Sequence, residues 1–265
     1  MAGPPMWVVE RSPARVFLFG ETVGLRAGDV WLTDEIRAAV EGSRVLWREA
    51  DREELSRSPL LAVHALSDER LSDRLDDDRR RRVDEAARSV GVDPTTLEGL
   101  RPWAAGQVLE QAMRTAAGID GALGVDSVLT RLATTAGVPI ESELGEAEAT
   151  FAWFSGMDGP LEIDYLMWTI ERVEEGPGEM DRQVAAWKVG DLAVAEEQDG
   201  AMARDHPRLH GRMVVERNRA WVPRIEAKLD EPGTTFVLVG GAHLVGDASI
   251  LTLLAGAGLP PTRVA

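Results

Sequence analysis

The sequence contains no cysteine among its 265 residues, and this absence removes several kinds of chemistry at once. Disulfide bonds, thiolate metal ligands and cysteine nucleophiles all need a thiol, so the chain can use none of them. A chain of this length with 44% hydrophobic residues is still able to bury a large core. We therefore expect a globular protein that folds without disulfide support.

An excess of positive charge and a basic arm or stripe are also missing. The chain has 29 Lys and Arg residues against 45 Asp and Glu residues, which gives a formal net charge of −16. Nucleic-acid backbones and anionic membrane surfaces are bound by clustered Lys and Arg. The composition therefore argues against a nucleic-acid partner.

The longest charged run extends from Asp76 to Arg82 and contains three acidic residues followed by four arginines. On a helix this order predicts i,i+4 ion pairs such as Asp76 with Arg80 and Asp78 with Arg82. A solvated, self-paired helix face explains the run better than an interaction patch does.

Long hydrophobic runs are absent as well. No uncharged apolar segment reaches the roughly 18 residues that a membrane-spanning helix needs. The segment Met1 to Glu10 has no basic region followed by an apolar stretch, so it does not resemble a secretory signal. We expect no membrane span and a cytoplasmic location.

Two segments share the pattern of an apolar strand that runs into glycine, then a loop and a helix. They are Arg15 to Gly20 and Thr235 to Gly240. Two such βα halves predict an α/β fold with a mixed sheet, in which both glycine loops lie at the end of the sheet where ligand crevices form. The helical composition from about residue 51 to 137 predicts a helical insert or cover within a single domain spanning residues 1–265.

The chain has only four histidines, so each can be considered individually. His64 lies in an apolar stretch and is predicted to be packed with one partner. His206 and His210 are four residues apart near a helix start and are predicted to form a surface pair without a role. His243 follows a strand and two glycines on a loop, which makes it the best single candidate for a site. The alternative is that the glycines only make a tight strand exit and His243 hydrogen-bonds the loop.

Two glutamates lie at predicted sheet ends, Glu21 after the first glycine strand and Glu49 after the strand at Val45 to Arg48. If they converge with His243, two carboxylates and one imidazole form a divalent-metal site with positions left for water and substrate. The alternative for each glutamate is an ordinary strand-end or loop carboxylate.

Arg217 and Trp221 are four residues apart and share one face of a predicted helix. A fixed guanidinium is suited to holding a carboxylate or an anionic substrate group. A structural salt bridge covered by the tryptophan is the alternative.

These residues belong to an ordered series that resembles the TraB/GumN family, which also includes the pheromone-shutdown proteins and the Tiki membrane-anchored metalloproteases. The resemblance covers essentially the whole chain. The matching segments, in order, are Gly20-Glu-Thr-Val23, Glu49, Pro102-Trp103, Gly124-Val-Asp126, Trp187 with Gly190-Asp191, Arg217-Asn218-x-x-Trp221 and Gly240-Gly-Ala-His243-Leu-Val-Gly246.

The resemblance implies a divalent ion such as Mn, Co or Zn, held by two loop histidines and a glutamate. This chain has Val23 where the family places its first histidine, and a valine cannot bind a metal. Glu21, two residues earlier on the same loop, is the natural replacement, which gives Glu21, Glu49 and His243 as the expected metal ligands.

The matched motifs also imply the other site residues. Glu49, Arg217 and Asn218 are the expected catalytic residues. The expected ligand-binding residues are Gly20, Gly240, Gly241 and Trp221.

Three functions remain open on the sequence. The first is a metal-dependent hydrolase that acts on a peptide or a small amide or ester. The second is a degenerate family member that binds a peptide or small molecule in the same cleft without hydrolysing it, which the missing histidine favours. The third is a regulatory or scaffold protein without a ligand.

Overall fold

The computed structural model of the chain describes residues 3–50, 58–143 and 147–264. It divides into two compact units. The first unit comprises residues 1–49, 120–143 and 181–265, and the second unit comprises residues 50–119 and 144–180. The predicted α/β fold class is confirmed, because the first unit contains a six-stranded mixed sheet with helices on its faces. The prediction of a single domain with an insert stays a prediction.

The sheet of the first unit has the strand order β4-β3-β5-β2-β1-β6. Strands β1 and β2 form an antiparallel hairpin, and β6 pairs antiparallel with β1. The remaining pairs, β2 with β5, β5 with β3 and β3 with β4, are all parallel. The strands are β1 (Met6–Arg11), β2 (Ala14–Glu21), β3 (Val45–Arg48), β4 (Ile140–Ser142), β5 (Gly233–Gly240) and β6 (Thr262–Arg263).

The two predicted glycine strands are direct neighbours. In the parallel register of β2 and β5, Gly20 is opposite Val239 and Glu21 is opposite Gly240. The two βα halves therefore end at the same edge of the sheet, as the sequence pattern predicts.

Both faces of the sheet are buried, which explains why its central strands are almost continuously apolar. Phe236 and Leu238 of β5 point into one apolar core, and Val237 and Val239 point into the other. The first core is completed by α1 (Asp34–Glu41), α5 (Val125–Ala136) and residues 184–187, and the second by α11 (Glu216–Lys228) and α12 (Ile250–Gly256).

Local sequence signals fix the helix ends of this unit. The side chain of Thr33 accepts a hydrogen bond from the amide of Ile36 at the start of α1, and Ser249 does the same for Thr252 at the start of α12. Gly137 ends α5 with φ at 73°, a left-handed conformation that glycine adopts without strain.

The second unit is helical, and its core packs residues of α3 (Asp77–Ser89), α4 (Pro102–Ala116) and α7 (Gly159–Glu175) together. Between residues 58 and 119 the described chain contains helices and no named strand, in agreement with the helical composition. Its helices are α2 (Leu60–Ala65), α3 (Asp77–Ser89), α4 (Pro102–Ala116), α6 (Ala147–Ser155) and α7 (Gly159–Glu175).

The remaining helices follow α7 in the chain. They are α8 (Pro177–Lys188), α9 (Ala193–Asp205) and the short α10 (Pro207–His210), which leads through a π-helical turn at Gly211–Val215 into α11. Within the described residues, no helix combines the length and the apolar character needed to cross a membrane.

The charged run at the start of α3 pairs in a different spacing from the predicted one. Asp76 caps the helix by accepting from the amide of Arg79, and Asp78 pairs with Arg81, so the observed spacing is i,i+3. Arg82, which was expected to pair with Asp78, instead contacts Glu174 at 2.7 Å. The cause is the position of the aspartates at the helix N-terminus, where the first turn favours i,i+3 contacts and capping. The prediction of an exposed, paired helix face is correct in its outline.

The indole of Trp187 anchors the end of β2, because its Nε1–H donates to the carbonyl oxygen of Gly20 at 2.7 Å. We expect Trp187→Phe to lower the free energy of unfolding by about 1–3 kcal/mol, since it leaves a buried carbonyl without its donor. Trp221→Phe is the matched control, because the Trp221 Nε1–H is buried and finds no hydrogen-bond partner among the described residues. Denaturant unfolding of both variants tests this, and an equal loss in both would show that the hydrogen bond contributes nothing.

Candidate functional site

The carboxyl ends of four parallel strands lie at one edge of the sheet, and acidic residues or glycine occupy these ends. Glu21 ends β2 and Gly240 ends β5, whereas Glu49 directly follows β3 and Glu143 directly follows β4. This is the edge at which open α/β sheets bind ligands. The backbone alone therefore gathers three glutamates where a site is expected.

The carboxylate of Glu49 is at the centre of a compact cluster. Its Oε1 accepts a hydrogen bond from the backbone amide of Gly240 at 2.5 Å and lies 3.5 Å from Nε2 of His243. Its Oε2 lies 3.1 Å from Nη2 of Arg217. Gly240 permits this approach, because a Cβ at that position would stand only 3.3 Å from Oε1. The structure thus brings these four predicted site residues together.

The guanidinium of Arg217 is held from several sides. Its Nη2 contacts Glu143 Oε2 at 3.4 Å in addition to Glu49, and its carbon lies 4.4 Å from the centre of the Trp221 ring. Only 11% of the Arg217 side chain is exposed. Both sequence interpretations of this arginine thus describe real contacts, since it pairs with carboxylates and stacks on the tryptophan.

The imidazole of His243 is buried against α11, the helix that carries Arg217, Asn218 and Trp221. Its Nδ1 lies 2.7 Å from Oδ1 of Asn218, and its ring centre lies 4.6 Å from that of Trp221. Asn218 and Trp221 are fully buried, and His243 is 5% exposed. Side chains of α11 therefore fix the imidazole, so His243 does more than hydrogen-bond its own loop.

Burial lowers the pKa of His243 from 6.5 to about 4. Desolvation is the largest cause, because it disfavours the charged imidazolium. The carboxylate of Glu49 raises the pKa of His243, and the nearby Arg217 and His210 lower it. At neutral pH the imidazole is consequently uncharged and able to accept a proton.

The two predicted glycine loops touch each other. A Cβ on Gly20 would lie 3.3 Å from the Cα of Gly241 and 3.2 Å from Cδ1 of Leu244. The first loop could not approach the second so closely with a side chain at this position. Gly20 and Gly241 therefore bring the two strand ends together.

A pocket opens where these loops meet α8 and α9. Glu21 lines it together with Trp187 and Leu244. Among the described residues, neither Glu49 nor His243 lines this pocket. Glu21 thus lies at the expected edge of the sheet, where it lines this pocket.

The expected metal centre requires three side-chain ligands around one ion. Hydrolytic zinc sites use three protein ligands, each about 2.0–2.3 Å from the ion. Across residues 3–50, 58–143 and 147–264, no group of three or more His, Cys, Asp or Glu side chains could hold a metal ion. Glu49 and His243 supply two neighbouring donors, and one oxygen of Glu49 faces Arg217. As placed, these residues do not fit a three-ligand centre, and a metal held by Glu21, Glu49 and His243 stays a prediction.

Two predictions about other histidines need correction. His206 is 6% exposed and is not a surface residue. His210 is paired as well, because its Nε2 lies 2.8 Å from Oδ1 of Asp199 and only 12% of its side chain is exposed. The helices α9 and α10 pack on each other here, a tertiary contact that the spacing of the two histidines could not reveal. His64 contacts both Ser155 and Glu148 rather than a single partner.

Glu143 is the site residue that sequence reasoning did not select. Glu141 and Glu143 are two residues apart, and residue type alone does not separate them as candidates. The parallel pairing of β4 with β3 places Ser142 opposite Arg48, so that Glu143 and Glu49 leave the sheet side by side. Pairing register is the signal that separates the two glutamates.

A π-helical turn at Gly211–Val215 directly precedes the helix that carries Arg217, Asn218 and Trp221. Such a turn inserts an extra residue and rotates the following helix, and it is frequent at functional sites. All three side chains contact the site cluster from this helix.

Comparison with known proteins gives one match. The profile of the TraB/PrgY/gumN family matches residues 5–263, which is nearly the whole chain. No curated protein and no solved structure matches the chain.

The buried state of His243 predicts acid sensitivity. Between its folded pKa of about 4 and its ordinary value of 6.5, the unfolded chain binds more protons than the folded one. Stability therefore rises with pH in this window, and about 3 kcal/mol is lost as the pH falls from 7 to 4. Glutamine does not titrate in this range. From pH 7 to pH 4 we therefore expect the free energy of unfolding of His243→Gln to fall by about 3 kcal/mol less than that of the wild type, as measured by urea unfolding at several pH values. Identical pH dependence in the variant and the wild type would contradict a buried, neutral His243.

Proposed function

The chain belongs to the TraB/PrgY/gumN family, and from this membership and the cluster around Glu49 we propose that it is a hydrolase for a peptide or a small amide or ester. The observation that carries the proposal is the juxtaposition of a neutral imidazole, a carboxylate and a guanidinium at the carboxyl edge of the sheet. His243 Nε2 and Arg217 Nη2 lie within 3.5 Å of the two oxygens of one carboxylate.

In the proposed reaction a water molecule occupies the space next to His243 Nε2 and Glu49 Oε1. Its oxygen attacks the carbonyl carbon of the substrate while its proton passes to Nε2 of His243. The imidazolium that forms is stabilised by the negative charge of the adjacent carboxylate of Glu49. The bond to the leaving amine or alcohol then breaks, and the proton on His243 passes to that leaving group.

Arg217 has the second role in this proposal. Negative charge develops on the carbonyl oxygen during attack, and a guanidinium in a site shielded from water stabilises it strongly. Glu49 and Glu143 hold this guanidinium in place before the substrate arrives. Its fixed position lowers the reorganisation that the reaction requires.

Ligand binding without turnover is the second candidate. Two observations favour it: a pKa of about 4 makes His243 a weak base, and Val23 stands where the family places a histidine. In this case the same cluster and the neighbouring pocket would hold a peptide or small molecule. A hydrolysis assay on p-nitrophenyl esters and aminocoumarin peptide amides, with His243→Gln as the inactive reference, separates the two candidates.

Arg217→Lys is the sharper test of the site. Lysine keeps the charge but loses the planar guanidinium that stacks on Trp221, so we expect turnover to fall about 10- to 100-fold. Arg11→Lys is the matched control, because Arg11 forms an exposed pair with Asp230 and its loss should leave turnover unchanged. Equal turnover in both variants would remove Arg217 from the proposed mechanism.

Calorimetric titration with Mn²⁺, Co²⁺ and Zn²⁺ tests whether the protein binds a divalent metal ion. Since the described residues place two neighbouring donors, Glu49 and His243, at the site, we expect no saturable binding to the wild type and a new affinity in Val23→His, which restores the family-like ligand. Wild-type binding that disappears in Glu21→Ala would instead establish the three-ligand centre of Glu21, Glu49 and His243. Wild-type binding that persists in Glu21→Ala would assign the metal to other residues.

A further inference from the structure

Asp199 and His210 form a pair that is separate from the cluster of Glu49, Arg217 and His243. Nε2 of His210 lies 2.8 Å from Oδ1 of Asp199, and the two side chains are only 12% and 10% exposed. Because a carboxylate only accepts hydrogen bonds, the hydrogen between these two atoms belongs to Nε2 of His210. His210 therefore fixes the orientation of the Asp199 carboxylate.

The second oxygen of Asp199 faces the loop that carries His243. A Cβ on Gly246 would lie only 2.5 Å from Oδ2 of Asp199 and 3.5 Å from its Cγ. Gly246 also has φ at +80°, a backbone conformation that residues with a side chain rarely adopt. The carboxylate of Asp199 thus occupies the space that a side chain at position 246 would need, and it lies against the loop three residues after His243.

Asp199 lies at a position where its residue type is unfavourable for the helix. It is inside α9 (Ala193–Asp205) and is followed directly by Gly200. Both residue types have low helix propensity, because aspartate competes for nearby backbone groups and glycine loses more backbone entropy. A residue that weakens its own helix indicates a tertiary role, and the contacts with His210 and Gly246 provide one.

The π-helical turn brings His210 and Asn218 onto one face of a continuous helical segment. The two residues are eight positions apart, so a regular α-helix would separate their directions by about 80°, since each residue turns by about 100°. The extra residue of the π-helical turn removes about 100° of this rotation and leaves about 20°. From this common face, Asn218 Nδ2 donates to the carbonyl oxygen of Ala248 at 2.8 Å, and His210 holds Asp199 next to Gly246.

We propose that Asp199 and His210 are positioning residues that hold the loop of residues 240–249, and with it the side chain of His243, through the contact at Gly246. A displacement of about 1 Å in a reacting group is enough to lower a rate about 100-fold. Residues that hold this loop therefore affect turnover without touching the substrate. The effect on turnover rests on the proposed hydrolase, whereas the hold on the loop does not.

Amide hydrogen exchange under native conditions tests the hold on the loop without a substrate. The amide of Ser249 donates to the carbonyl oxygen of Gly246 at 3.2 Å, so its exchange rate reports on the loop. In His210→Leu the Asp199 carboxylate loses its donor, and we expect the Ser249 amide to exchange about 10-fold faster. Amides at the centre of β5, between β2 and β3, report global unfolding and should change less. An equal change at both places, or no change at Ser249, would overturn the proposal.

Two further variants separate positioning from simple packing. His210→Gln keeps an N–H that donates to Asp199, so we expect the exchange rate of the wild type at Ser249. In an Asp199→Ala background, His210→Leu should accelerate exchange at Ser249 no further, since His210 acts through Asp199. Exchange in His210→Gln as fast as in His210→Leu, or a further acceleration in the Asp199→Ala background, would contradict the role of the pair. If His210→Leu fails to fold, Asp199→Ala and His210→Gln still decide the question by the same comparison with β5.

Hydrolysis kinetics then test the link to turnover. In His210→Leu we expect kcat to fall about 10-fold with KM unchanged, and in His210→Gln we expect kcat of the wild type. A loosened loop with unchanged kcat would overturn the link between the pair and turnover. A wild-type protein without hydrolase activity would refute the proposed function, and the exchange rates at Ser249 would still decide whether Asp199 and His210 hold the loop.

Discussion

The parallel pairing of β2 with β5 is the constraint on which the rest of the structure depends. It joins two strands that are more than 200 residues apart in sequence and places Gly20 opposite Val239. Since both strands end in glycine, their loops come within van der Waals distance of each other at the edge of the sheet. The central position of β5, between β2 and β3, then places the end of β3 and its Glu49 beside the same loops.

Most of the sequence motifs acquire a physical role from this arrangement. Asp126 of the Gly-x-Asp segment lies 3.5 Å from Arg48, so it holds the residue next to Glu49 in place. Trp187 ties α8 to the carbonyl oxygen of Gly20. Neither residue belongs to the cluster of Glu49, Arg217 and His243. Both fix the strand ends that present the site, which explains why the motifs are spread over the whole chain.

Sequence reasoning predicted the fold class and named several residues that the structure brings together, because both follow from local patterns. Apolar strands that run into glycine predicted the adjacent β2 and β5, and the i,i+4 spacing of Arg217 and Trp221 placed them correctly on one helix face. The errors arose where tertiary contacts decide. The burial of His206 depends on helix packing, and the selection of Glu143 depends on the register of β4. Asn218 contacts His243 from a helix that follows a π-helical turn, and no residue pattern predicted that turn.

The central claim is that ligands bind at the cluster of Glu49, Arg217 and His243. Histidine side-chain NMR tests it directly during titration with the peptide amides and esters of the hydrolysis panel. The account predicts a saturable change in the signals of His243 and none in those of His64, which lies in the second unit. Saturable changes at His64 with unchanged His243 signals would contradict it.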